Sequence, residues 1–126
     1  TIEATDATPA IDEGNGLVYV SGGTSGFMDP GVRCFFTGNF TELWNRTPMD
    51  GTNEEMGGWT CSVSLADGYA FVGREAGYPY CYDTIYALDA MTGATVWSYP
   101  QGGATAAIAN GDVYTIGNNG HLYAFG

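Results

Sequence analysis

The 126-residue chain is long enough for one modest domain, and 14 acidic against 3 basic residues give it a net charge of −11. That charge repels phosphate backbones and anionic lipid surfaces, which argues against nucleic-acid binding and electrostatic membrane docking. Its 20 Gly, 9 Tyr, 6 Phe and 3 Trp are interleaved with short apolar runs. No run is long enough to insert in a membrane as a helix and no stretch keeps a 3.6-residue period, so the sequence predicts an all-β protein of short strands and tight turns.

Residues 1–7, "TIEATDA", belong to no repeat and read as an N-terminal strand or arm. A start at Thr rather than Met fits either a processed protein or a chosen starting point. The first unit spans about 8–46. "TPAIDEGNGLVYVSGG" predicts a hairpin, and "SGGTSGFMDPG" a long hairpin loop, since no helix follows it to make a phosphate cradle. A third strand is expected over Val32 to Phe36 and a fourth ending at Trp44. Two glycosylation sequons fall here, at Asn39 and Asn45. "DGTNEEMGG", with Glu54 and Glu55, reads as a solvated loop.

The second unit spans about 60–99. "CSVSLADGYAFVGR" predicts another hairpin, Thr84 to Leu88 a third strand, and "ATVW" a fourth ending at Trp97. Between them "AGYPYCY" carries Tyr78, Tyr80 and Tyr82, which either form an exposed recognition loop or pack on a neighbouring sheet. The third unit, about 104–126, offers the hairpin "TAAIANGDVYTIG" and a strand His121 to Phe125. His121, the single histidine, reads as a polar residue opening that strand, which leaves no His-based metal cluster or triad. Cys34, Cys61 and Cys81 are disulfide candidates, of which an exported protein pairs two; the alternative is three small buried thiols.

Aligned on Gly16, Gly68 and Gly111, the units place Tyr19, Phe71 and Tyr114 in one column, with spacings of 52 and 43 residues. That period is close to a four-stranded propeller blade. Strands such as "LVYV", "YAFV" and "TIYAL" are apolar on both faces, as sheets stacked between other sheets require. The expected fold is therefore a partial β-propeller of about three four-stranded antiparallel blades in a single repeat domain, the last incomplete at three strands; a β-sandwich is the alternative.

"ALDAMTGATVW" fits A-x-D-x-x-T-G-x-x-x-W through Ala87, Asp89, Thr92, Gly93 and Trp97. This resembles the tryptophan-docking motif of pyrroloquinoline-quinone-type β-propeller repeats. The resemblance implies that the Trp at the end of an outer strand packs between the motif's Ala and the Gly peptide of a neighbouring blade, a staple that carries no chemistry. In the first unit the alignment equates Gly38 with the turn glycine, keeps Trp44, and is shorter by one residue. Ala124 and Gly126 begin the motif again in the third.

The family holds quinone-dependent dehydrogenases as well as non-catalytic scaffolds such as outer-membrane assembly lipoproteins. The enzymes' quinone, calcium ligands and adjacent-cysteine disulfide find no matching residues here, so no catalytic, cofactor or metal site is expected. The expected function is a non-enzymatic, extracellular structural protein of the cell surface. In that reading the N-terminal strand of one copy completes the third blade of the next, building a sheath, layer or filament. The alternatives are a protein- or glycan-binding propeller module or a fragment of a larger propeller, with a quinone-dependent dehydrogenase the remotest.

Overall fold

The computed structural model describes residues 5, 7–22, 30–47, 50–75 and 81–126. Among the described residues there are eleven strands: β1 (Ala10–Asp12), β2 (Leu17–Gly22), β3 (Gly31–Phe36), β4 (Glu42–Arg46), β5 (Ser64–Ala66), β6 (Tyr69–Glu75), β7 (Tyr82–Asp89), β8 (Thr95–Tyr99), β9 (Ala107–Ala109), β10 (Asp112–Ile116) and β11 (Leu122–Phe125). They form three antiparallel meanders, β1-β2-β3-β4, β5-β6-β7-β8 and β9-β10-β11. His121 lies just outside β11, its backbone N–H bonded to the Asn119 side chain in the preceding turn.

Turn chemistry sets the hairpins. Asp67-Gly68 and Asn110-Gly111 adopt positive φ at both residues, the two-residue turn whose twist matches that of the flanking strands. The first hairpin is built differently. Its loop covers 13–16, only Gly16 has positive φ, and the Asp12 carboxylate accepts from the Asn15 side chain at 2.8 Å.

Alternation along the middle sheet decides how the sheets stack. Ala70, Val72, Tyr86 and Leu88 join a core with Leu17, Tyr19, Val32 and Trp44 of the first sheet. Their neighbours Phe71, Ile85 and Ala87 join a second core with Val113 and Phe125 of the third. Successive side chains point to opposite faces of a strand, so the middle sheet lies between the other two. A two-sheet sandwich gives its strands one buried face; β6 and β7 have two, and the fold is a stack of propeller blades. The innermost strands sit side by side, β1 against β5 and β5 against β9.

A hydroxyl link that the repeat alignment did not single out joins those inner edges. The backbone N–H of Thr8 donates to Ser62 Oγ at 2.8 Å, and that of Ser62 donates to Thr105 Oγ1 at 2.9 Å. The three residues occupy the same position two residues before each inner strand.

Candidate functional site

The motif residues meet at the junction between the first and second sheets. Asp89 ends β7 and its Oδ1 accepts from the backbone N–H of Met91 at 2.9 Å and of Thr92 at 3.1 Å, closing a turn that places Gly93 at φ 76. Trp44 lies flat on that turn. A Cβ on Gly93 would stand 2.6 Å from Trp44 Cδ2 and Cε3, so the contact admits no side chain there. Trp44 Nε1 and the Tyr19 hydroxyl both donate to the Ala90 carbonyl at 2.9 Å, with the two rings 5.9 Å apart. Trp44 is 8% exposed and Tyr19 wholly buried, and burial pushes the Tyr19 phenol well above its usual pKa.

Arg46, two residues beyond Trp44, ties the same junction together electrostatically. Its Nη1 donates to the Gly93 carbonyl at 2.8 Å and to Thr95 Oγ1 at 2.9 Å, while Asp50 and Glu54 each accept from the guanidinium at 2.9 Å. Burial disfavours the charged Asp50 carboxylate, but hydrogen bonds from Thr52 and from Arg46 outweigh it and hold its pKa below the ordinary value. Sequence reading missed this cluster. Glu54 and Glu55 lie in a largely exposed loop, as expected, and each is also ion-paired: Glu54 binds Arg46, and Glu55 binds Arg74 at 3.2 Å.

Ala87 is paired with Trp97, the tryptophan of its own motif, across β7 and β8 and faces the second core. One carried-over detail changes. In the first unit the turn glycine is not Gly38. The bonds Phe36 N to Thr41 O and Phe40 N to Phe36 O reproduce Asp89 N to Ala94 O and Gly93 N to Asp89 O, which aligns Phe40 with Gly93 and leaves no deletion. Phe40 itself takes φ 56 and is 73% exposed.

The second junction repeats the arrangement with other residues. By strand register Phe71 stands where Tyr19 does, Trp97 where Trp44 does, and Tyr99 where Arg46 does. Trp97 packs on Phe71 with centroids 6.1 Å apart and on Phe125 at 5.1 Å, while Tyr99 meets Phe125 at 5.3 Å and Tyr123 at 5.7 Å. Trp97 is only half-buried and Tyr99 40% exposed. Among the described residues nothing accepts a hydrogen bond from Trp97 Nε1, and no strand pairs with the free side of β11. A cleft of about 210 Å³ opens between Phe71, Trp97, Phe125 and Gly126.

The remaining sequence candidates are dispersed. Asn39 and Asn45 are exposed, the first in the β3–β4 turn and the second bonded to Glu42 at 3.0 Å. The disulfide expectation is corrected: Cys34, Cys61 and Cys81 are all free thiols. Cys34 and Cys61 are packed inside the first core, where burial raises the Cys34 pKa to about 11 and that of Cys61 well above the usual range. Tyr82 is half-buried in β7, its hydroxyl 2.6 Å from Thr60 Oγ1, whereas Tyr78 and Tyr80 lie outside the described residues. Most of the proposed arm does too, but Thr5 Oγ1 donates to the Ser21 carbonyl at 2.7 Å, which ties the arm's end to the chain's own first sheet. No group of three or more His, Cys, Asp or Glu gathers among the described residues as metal ligands would.

No family model matches the sequence, and comparison with curated proteins finds no significant relative. Solved structures do match. BamB from Moraxella catarrhalis superposes with a TM-score of 0.67 at 21% identity, over 96% of this chain and 33% of that one. Quinohemoprotein alcohol dehydrogenase from Comamonas testosteroni gives 0.66 at 23% identity, over 99% and 19%. A europium-containing methanol dehydrogenase gives 0.62 at 17%, over 93% and 22%. The chain thus spans a third or less of the proteins it resembles. With the sheet order and the docked Trp44, this similarity identifies the fold as consecutive blades of a β-propeller, similar to those of BamB and the two dehydrogenases.

Proposed function

We propose that the chain is a non-catalytic β-propeller segment that serves as an interaction scaffold for a protein or glycan partner. The observation that carries this reading is that the buried polar groups of the blade junction are engaged in holding sheets together: Trp44 and Tyr19 donate to the Ala90 carbonyl, and Arg46 binds the Gly93 carbonyl, Thr95, Asp50 and Glu54. The disposition of charge supports a structural role. Each of the three arginines is held by carboxylates, Arg33 by Glu42, Arg46 by Asp50 and Glu54, and Arg74 by Glu55 and Asp83. We further propose an extracellular or cell-surface location, supported by the exposed sequon residues Asn39 and Asn45 and by the acidic composition.

Binding of the purified chain to glycan and peptide arrays tests the scaffold, with turnover assayed in added quinone and calcium as the control. Binding that Tyr78→Ala, Tyr80→Ala or Tyr82→Ala removes without unfolding the chain is the expected result, and quinone-dependent turnover would overturn the reading. Filaments or sheets seen by electron microscopy at rising concentration would assign the partner to another copy, the assembly expected of a sheath or surface layer.

A further inference from the structure

Resting on the reading of the chain as a scaffold, a second surface stands out at the first junction. At its hairpin-turn end a groove of about 540 Å³ opens between the β1–β2 and β5–β6 turns. Leu65, Tyr69 and Ala90 give the groove apolar surface, and Asp12, Glu13 and Asp67 bring carboxylates to it. Tyr69 is 40% exposed, and Glu13 and Asp67 are exposed beside it. Among the described residues no cation faces these three acids. All three basic residues are arginines held by other carboxylates, Glu42 on Arg33, Asp50 and Glu54 on Arg46, and Glu55 and Asp83 on Arg74. His121 lies before β11, at the opposite end of the strands.

The uncompensated charge reaches the interior. Burial is the main cause that raises the Tyr19 phenol and the Cys34 thiol, and the negative charge of Asp12 adds to both. The acids of the groove do not gather as metal ligands would, which favours an extended cation over a metal ion. An exposed tyrosine ring accepts a guanidinium or ammonium on its face, while the aliphatic stem of the same side chain lies on apolar surface. We propose that this groove binds a cationic peptide segment of a partner protein, an arginine or lysine next to an aliphatic residue. The cation meets Glu13 and Asp67, its stem covers Tyr69, and the aliphatic neighbour covers Leu65. Charge complementarity selects this occupant, because a neutral or anionic one leaves the three carboxylates without a counter-charge.

Fluorescence anisotropy with the purified chain and a labelled peptide of alternating arginine and leucine tests this, beside the same peptide with glutamine for arginine. The arginine peptide is expected to bind about tenfold or more tightly than the glutamine peptide. Glu13→Gln combined with Asp67→Asn should weaken its binding about tenfold or more. Asn suits the φ of 51 at residue 67, so the turn survives the change. Glu42→Gln with Glu55→Gln removes two exposed charges outside the groove and should change binding less than about twofold. Equal losses from the two pairs would show attraction by net charge alone and overturn the groove. Loss on Tyr78→Ala but not in the Glu13 and Asp67 variant would move the site to residues 78–82, overturning the groove while leaving the scaffold intact. Failure of the arginine peptide to bind would also overturn the groove, and the glycan and peptide arrays then decide the scaffold separately.

Discussion

The two junctions use one scheme and end in different states. At the first, Trp44 is sealed under a glycine turn, its N–H is satisfied, and Arg46 binds across the gap. At the second, Trp97 has rings on one side and a cleft on the other, and Tyr99 takes the place of the arginine. What differs is not the tryptophan but what it rests on. An indole yields its full burial energy only when a backbone can approach its face and a carbonyl can meet its nitrogen.

Substitutions separate the junctions by magnitude. Trp44→Ala is expected to cost about 3–5 kcal/mol, against about 1–2 kcal/mol for Trp97→Ala, both read from urea midpoints. Equal losses would show that the docking turn adds nothing. Arg46→Ala leaves Asp50 and Glu54 uncompensated at a buried site and is expected to cost about 3 kcal/mol, whereas Arg33→Ala, at the exposed pair with Glu42, should cost less than about 1 kcal/mol. Gly93→Ala combines a left-handed φ with a clash against Trp44, for about 2–4 kcal/mol. Gly111→Ala shares the φ but meets nothing within 4 Å, and should cost about 1 kcal/mol.

The smaller effects probe hydrogen bonding and charge. Tyr19→Phe converts the first junction toward the second and is expected to lose about 1 kcal/mol, the bond to the Ala90 carbonyl. Asp50 contributes to the pH dependence. Its folded pKa lies below the ordinary 3.8, so its contribution is complete above that value and disappears as pH falls through the folded pKa. Acid titration of thermal stability should therefore show a loss below about pH 4, shared with Glu42, whose pKa is also held below its ordinary value, and Asp50→Asn should make that loss smaller.

Much of the architecture was legible in the chain. Asp-Gly and Asn-Gly pairs marked two of the hairpins, and apolar residues on both faces of "YAFV" and "TIYAL" marked a sheet covered on both sides, because turn φ and strand alternation are local properties. The docking motif was legible as well, with Asp89, Thr92 and Gly93 in one turn beneath Trp44. Phe40 was hidden because glycine was sought by identity, and Gly38 stands two residues away. The Arg46 cluster was hidden because its partners lie 4, 8, 47 and 49 residues along the chain.

By itself the sequence determined the strands, the turns, the period of the repeat and the large apolar residues available to staple one sheet to another. These follow from backbone stereochemistry and from which faces are apolar. Tertiary structure alone decided which core each residue of the middle sheet serves, sending Ala70, Val72 and Leu88 to the first and Phe71, Ile85 and Ala87 to the second. It also decided that Cys34 and Cys61 are buried in the first core and that Arg46 reaches across to Gly93 and Thr95. The reason is that burial is settled by contact across sheets: Trp44 meets the Gly93 turn of the next sheet within van der Waals reach, a contact that no local pattern contains.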